Sequence, residues 1–300
     1  MRSVEFFFVS VTLQICFLTI FILTLYKEGF TITMTPNHPG SPGIWQQIDQ
    51  LTQRFEELGL RGNLDYDKFF VYSIVTHSTA IEGSTLTEEE AELLFESGLT
   101  AKGKPLVHHL MNTDLKNAYT AAMEQARGEL IFSPDLLKSF NAMVMKGTGG
   151  PNSVMGGDFD SSRGDFRLCG VSAGIGGRSY VAYRKIPEMT DGLCDRLNSQ
   201  LNAVNQNSSR QELYGITFGA HLDLATIHPW VDGNGRTARL IMNLLQFRLK
   251  LIPTKTFSED RADYIAALRE SQDTNDASPF LAFMATQHKK TLETEIANAK

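Results

Sequence analysis

Cysteine is nearly absent from this chain of 300 residues: Cys16, Cys169 and Cys194 are the whole complement, and none stands in a C-x-x-C pair. An odd, sparse set of thiols argues against a disulfide framework and suits a reducing compartment. Any basic run or stripe is also missing. With 28 Lys and Arg against 34 Asp and Glu, the formal charge is −6, which argues against nucleic acid as the main partner. His77, His108 and His109 lack a metal-like spacing with one another, and no internal repeat is found. What remains is ordinary for a soluble globular protein, with 42% hydrophobic residues. A chain of this length buries a substantial core, in one larger domain or in one domain with a helical annex.

Residues 6–26, "FFFVSVTLQICFLTIFILTLY", carry no charge, and their length suits a membrane span of about 20 residues. The run is long for a signal-peptide core and no small-x-small cleavage site follows it. Arg2 and Lys27 flank it on either side, so orientation is weakly specified. A second reading competes. Met34 opens "MTPNHPGSPGIWQQ", a natural soluble start, which makes residues 1–33 a mis-assigned beginning. Translation from Met34 is favoured and gives a cytoplasmic protein; the alternative is anchorage through residues 6–26.

Past a Pro/Gly-rich lead, "IWQQIDQLTQRFEEL" places Ile44, Ile48, Leu51, Phe55 and Leu58 on one helical face. "DKFFVYSIVTHSTAIEG" reads as a second helix ending at Gly83. "TEEEAELLFESG" begins at Thr87, a good N-cap, and stops at Gly98. Two further helices follow, the later with Ser133 as cap and Pro134 in its first position. Residues 147–164 are rich in Gly, Ser and Asp and read as loop. Then "DFRLCGVSAGIGGRSYVAYRKIP" predicts a β-hairpin around "GIGG". Helical pattern returns near residue 187 and continues to the end. The expectation is an all-α domain with one small inserted hairpin.

The densest chemistry lies in "TIHPWVDGNGRTARLIMNLLQ", residues 226–246. One apolar helix ends at His228; another begins after Gly233 and Gly235, which let the backbone turn its N–H groups inward as a nest. Arg236 and Arg239, three residues apart, are expected in that helix's first turn. Cations are disfavoured at a helix N-terminus, so two arginines there call for an anion. Nest, dipole and paired guanidiniums suit a polyphosphate. Asp232 is suited to a divalent metal bridging phosphate oxygens, and His228 titrates near neutrality. The competing readings are blander. His228 alone would read as a capping or core histidine, and Arg239 alone as a solvated charge. A calcium loop is disfavoured because Arg236 takes the next ligand position and Asn243 stands where a bidentate Glu is needed.

The run His228-Pro229-Trp230-Val231-Asp232-Gly233-Asn234-Gly235-Arg236-Thr237-Ala238-Arg239 resembles the signature of Fic domain proteins, HPFxxGNGRxxR, with Trp230 in place of Phe. "GDFR", ending at Arg167, and the hairpin after it resemble the flap of that family, against which a target segment docks by strand addition; Val171, Tyr180 and Val181 fall there. "STAIEG", with Ser78, Glu82 and Gly83 in place, resembles the family's inhibitory motif S/T-x-x-x-E-G/N, in the class whose inhibitory helix precedes the catalytic domain. As a surface carboxylate near a helix end, Glu82 would otherwise mean little, and Tyr180 would be a strand packer or a self-modification site.

The resemblance implies a Fic-type helical bundle with an inserted β-hairpin flap. It divides the chain into residues 34–125, an N-terminal helical region containing an inhibitory helix at about 66–83; 126–252, the catalytic core; and 253–300, C-terminal helices. It implies transfer of AMP from ATP, with Mg2+, to a Ser, Thr or Tyr hydroxyl of an unidentified target protein. His228 would take the hydroxyl proton. Asp232 would hold the metal. Gly233, Asn234 and Gly235 would stabilise developing charge, and Arg236 and Arg239 would grip the β- and γ-phosphates. Glu82 would pair with Arg239 and exclude the γ-phosphate, or would help remove AMP. Self-modification and a homodimer also fall within the expectation. Two alternatives stand: another donor, delivering UMP or phosphocholine, and a nucleotide-binding regulator of low turnover.

Overall fold

The computed structural model describes residues 43–60, 64–173 and 177–299. The reading of residues 1–33 and most of the "GIGG" turn therefore lie outside the described residues. Among those described, no helix is long and apolar enough to cross a membrane.

Ten α-helices and one two-stranded sheet make up the described chain. Helices α1 (Ile44–Glu57), α2 (Leu64–Ile81), α3 (Glu88–Ser97), α4 (Leu106–Arg127) and α5 (Pro134–Val144) come first. Strands β1 (Pro151–Val154) and β2 (Gly157–Asp160) follow. Helices α6 (Ile186–Ala203), α7 (Arg210–Ile227), α8 (Asn234–Arg248), α9 (Arg261–Thr274) and α10 (Ser278–Asn298) complete the order. Several boundaries are set by local chemistry. Thr87 and Glu90 form a reciprocal capping box at the start of α3, and Gly98 closes it in the left-handed conformation. Ser133 caps α5 ahead of Pro134, and Ser209 with Glu212 caps α7.

The axis of the fold is α8, in which every residue from Arg236 to Gln246 is buried. A helix covered on all sides must satisfy its polar side chains internally. Asn243 accepts from the Tyr119 hydroxyl of α4 at 2.7 Å and donates to Gln246 at 2.8 Å. Gln246 in turn donates to Thr217 of α7 at 3.1 Å. Helix α8 is thereby fixed to both helices it packs against most closely. The main apolar core runs through these helices, from Ile48 and Phe55 of α1 to Leu292 of α10. A second cluster, with Phe218, Tyr264, Phe280 and Met284, fills the space between α7, α9 and α10. Because α1 packs against α10, the two ends of the described chain close the bundle together.

The strands are not where the sequence predicts them. The only ladder among the described residues lies inside the stretch read as loop, with Pro151 opposite Asp160 and Val154 opposite Gly157. Its hydrophobic signal is one buried side chain, Phe159, among exposed and half-buried neighbours, too little for an alternating pattern to register. Among its described residues, the predicted hairpin of residues 167–183 forms only an isolated bridge, Ser172 to Ser179. Two backbone bonds, Ala173 N–H to the Arg178 carbonyl and Tyr180 N–H to the Val171 carbonyl, give it a narrow ribbon shape.

Gly164 joins the sheet to this ribbon with φ +73°, and a Cβ there would fall on the Lys138 carbonyl of α5. Gly164→Ala is expected to lower stability by about 3 kcal/mol, since both backbone conformation and contact forbid a methyl group. Gly170→Ala, at a position with open space around it, is expected to stay within about 0.5 kcal/mol. Urea denaturation of the two variants makes the comparison.

Candidate active site

Helix α7 stops at His228 because Pro229 follows. A residue before proline is pushed out of the right-handed helical region, and His228 adopts the left-handed one, φ 50°, ψ 60°, with its N–H on the Leu224 carbonyl at 3.0 Å. That conformation costs a non-glycine residue about 1–3 kcal/mol and persists only where the surroundings enforce it. Here the enforcement comes from Arg167. Its Nε donates to the His228 carbonyl at 2.8 Å, its Nη1 to Cys169 at 2.7 Å and its Nη2 to Val181 at 2.6 Å. The Arg167 N–H also donates to the Pro229 carbonyl at 3.0 Å.

Between His228 and α8 the loop is closed by Asn234. Its side-chain oxygen accepts from Trp230 N–H at 3.1 Å, and its amide nitrogen donates to the Trp230 carbonyl at 2.9 Å. Its side chain thus holds the loop, and what it offers a ligand is its backbone N–H. Trp230 is fully buried and donates through Nε1 to the Gly164 carbonyl at 2.9 Å, a bond phenylalanine could not make. Gly233 precedes α8 with φ +78° and no side chain caps the helix, so the first-turn N–H groups face the site without a protein cap. Arg236 is the third residue of α8. Arg239 lies one turn further in, not in the first turn as the spacing suggested.

Both guanidiniums are buried, and their situations differ. Arg236 makes weak contacts, to the Val144 carbonyl at 3.4 Å, the Met145 sulfur at 3.2 Å and Asp232 at 3.6 Å. Its Nε has no partner. Burial pulls the Arg236 pKa down, against the nearby charges of Asp232 and Glu82. A buried cation so poorly matched marks a place for an anion. Arg239 is closely partnered. It donates to the Ser78 hydroxyl at 2.8 Å, the Ser78 carbonyl at 2.9 Å, the Tyr264 hydroxyl at 3.1 Å and Glu82 Oε1 at 2.6 Å. Burial pulls its pKa down, but Tyr264 and Glu82 outweigh that and raise it.

The Glu82 carboxylate lies directly over Gly235, where any Cβ would collide with it. Burial raises the Glu82 pKa, yet Arg239, then Arg236 and Arg261, bring it below the usual value. The amide end of α8 and its two arginines thus form an anion cradle, and the chain's own carboxylate sits in it. Gly83 follows with φ +100° and turns the chain away, with Ser84 N–H returning to the Thr79 carbonyl at 3.0 Å.

At the rim, burial is the main cause that lowers the His228 imidazole pKa to about 4, with the Ala225 carbonyl acting in the opposite direction. The ring is therefore neutral at physiological pH, with one nitrogen bearing a lone pair. Asp232 stands exposed at the lip, its carboxylate on the Gly233 N–H at 2.6 Å. Val171 and Val181 are half-buried in the ribbon, as is Tyr180. Arg167 is completely buried, so its side chain pins the ribbon and is not offered to a docking segment.

Residues 131–246 match the model of the Fic/DOC family. Among curated relatives, it is 28% identical over 231 residues to the protein adenylyltransferase Fic of Nematostella vectensis, covering 75% of this chain and 48% of that protein. It is 26% identical to the protein adenylyltransferase fic-1 of Caenorhabditis elegans, covering 78% and 42%. The chain thus spans about half the length of the curated relatives it matches. The same fold occurs in a Fic domain containing signaling protein from Bacteroides thetaiotaomicron, with TM-score 0.69, 20% identity and coverage of 84% of this chain and 97% of that one. Fic-1 from C. elegans gives 0.63, 23%, 85% and 72%.

Sequence reasoning missed Tyr264 and Arg261, which reach the site from α9. Arg261 donates to the Ile81 carbonyl at 2.7 Å and closes the C-terminus of α2 just before Glu82. Neither residue lies in a recognisable pattern; only the tertiary fold brings them near.

Arg167→Lys leaves one ammonium where three carbonyls need a fork. The expected loss is about 2 kcal/mol, lowering Tm by about 4–8 °C in a chain of this size. Arg163→Lys, at an exposed side chain, is expected to leave Tm unchanged by calorimetry.

Proposed function

We propose that this chain is a protein adenylyltransferase, moving AMP from ATP to a Ser, Thr or Tyr hydroxyl of a target protein and held in check by Glu82. The observation that carries the reading is the anion cradle at the start of α8 with a protein carboxylate seated in it. The names of the curated relatives support the choice of ATP and of adenylyl transfer.

In this reading the neutral imidazole of His228 accepts the target hydroxyl proton at its free nitrogen as the oxygen attacks the α-phosphorus. The bond to the β-phosphate breaks and pyrophosphate leaves. Arg236, whose guanidinium lacks a good partner, takes the β-phosphate, and Arg239 the γ-phosphate once Glu82 has withdrawn. The first-turn N–H groups of α8 meet the charge that develops. Asp232 is the residue that would hold Mg2+. One exposed carboxylate with the nucleotide's own oxygens is a normal ligand set for that ion, which when bound neutralises phosphate charge. The target would align along the 167–183 ribbon by strand addition.

The division we propose keeps residues 34–125 as a regulatory region, 126–252 as the catalytic core and 253–300 as C-terminal helices that brace Arg239 through Tyr264. A second reading, removal of AMP from a modified target, is supported by Glu82 itself. About a third of its side chain is exposed, at 34%, and its charge bears on His228, so it suits a water-positioning role.

Glu82→Gly is expected to raise self-modification from ATP more than about tenfold, which needs only about 1.4 kcal/mol. Adding Arg239→Ala should abolish the gain, and adding His228→Ala should abolish transfer while ATP affinity stays within about threefold. Mass spectrometry of protein incubated with ATP reads all three. An unchanged rate in Glu82→Gly at saturating ATP, with native circular dichroism, would refute the inhibitory role. Undiminished transfer by the His228→Ala variant would remove the proposed base.

A further inference from the structure

A histidine that takes a proton must hold its lone pair in a fixed direction. That direction lies in the plane of the imidazole and is set by two torsions. The Ala225 carbonyl bears on the ring, but a single polar neighbour leaves the plane free to tilt. Against the face of the ring lies Tyr180, with ring centroids 3.7 Å apart and planes 13° apart.

Tyr180 is itself held from several directions. Its N–H donates to the Val171 carbonyl at 3.1 Å across the ribbon. The next residue, Val181, gives its carbonyl to Arg167 at 2.6 Å. Two residues earlier, Arg178 pairs with Asp273 of α9 at 2.8 Å. The phenol ring is thus carried on a ribbon fastened both to the His228 loop and to α9.

We propose that Tyr180 is a positioning residue for the proposed transfer, its ring stacking on His228 to fix the imidazole plane and to shield one face from water. The proposal rests on the reading of His228 as the base. It assigns the effect to the aromatic face, and the phenol hydroxyl has no part in it. It adds a second duty to the ribbon, which then orients the base as well as the target. The groups that bear on the imidazole are Tyr180 and Arg167 from the ribbon, Glu82 from beyond α2, and Asp232 and the Ala225 carbonyl from the loop and from α7. Removing the ring of Tyr180 changes only the first of these and lets water reach the exposed face. Desolvation is the main cause of the low His228 pKa of about 4, so its loss moves the titration upward, toward the ordinary value of about 6.5.

The test uses the full chain with Tyr180→Ala or Tyr180→Phe, each with and without Glu82→Gly. NMR titration of the His228 imidazole without ATP gives the midpoint, and self-modification at saturating ATP in the Glu82→Gly background gives kcat. Tyr180→Ala is expected to raise the midpoint by about one pH unit or more and to lower kcat about tenfold. Tyr180→Phe keeps the stack and is expected to hold the midpoint and to keep kcat within about threefold of the parent. An unmoved midpoint and rate in Tyr180→Ala, while His228→Ala is inactive, would overturn the stacking role and leave the base reading intact. Equal losses in both Tyr180 variants would assign the effect to the hydroxyl and also overturn it. Active His228→Ala protein would end both readings together.

Discussion

Two guanidinium groups in the first two turns of a buried helix meet two electrostatic penalties at once. They leave water, and they stand at the positive end of the helix dipole. Helix α8 bears both because its surroundings supply negative partners of graded strength. Arg239 is met by a serine hydroxyl and carbonyl, a tyrosine hydroxyl and a carboxylate. Arg236 is met by little more than a distant carbonyl, a sulfur and a carboxylate at 3.6 Å. The difference defines the site. One arginine is held by several close partners, and the other by weaker ones, with its Nε left without any.

The resting partner of Arg239 is held in place by more than its own ion pair. Helix α2 is tied to α4 through Asn112, which accepts from Thr79 at 3.0 Å and donates to Ser84 at 3.0 Å. Its last carbonyl is closed by Arg261, and His77 accepts from the Ser258 N–H at 3.1 Å and meets Glu88 at 3.2 Å. Glu82 stands just beyond the last residue of α2 with part of its side chain in solvent. A charge placed at the end of a fastened helix has freedom in its own torsions, while the helix that delivers it has little. In the proposed reaction, exchange between carboxylate and γ-phosphate is then a local event that leaves the bundle undisturbed.

What was legible in the sequence was local. Thr87 and Ser133 act on N–H groups three residues away, and those helix starts stand where their caps indicate. The stretch 228–239 was legible for the same reason, since its turn, nest and arginines are contiguous. Ser78 and Glu82 were legible only through resemblance, because their partner Arg239 is 157 residues from Glu82. The ladder at 151–160 stayed hidden because a strand that buries one phenylalanine has no periodicity to show. Arg167 was assigned to the ribbon surface, and its burial could not be read, because its three side-chain acceptors are backbone carbonyls and any residue carries one. The stacking of Tyr180 on His228 is a meeting of two loops, which spacing along the chain cannot encode.

These nonlocal contacts link the parts that the proposed chemistry needs to move together. The His228 loop has one anchor in Arg167 and another in Trp230, whose indole reaches Gly164 at the base of the ribbon. Both anchors connect the same two segments, residues 164–181 and residues 228–234. A target segment that added to the ribbon would press on the element whose bonds keep His228 in its left-handed conformation. Strain of that kind persists only while its neighbours enforce it. The ribbon and the base therefore keep their geometry jointly, and a disturbance of one is felt in the other.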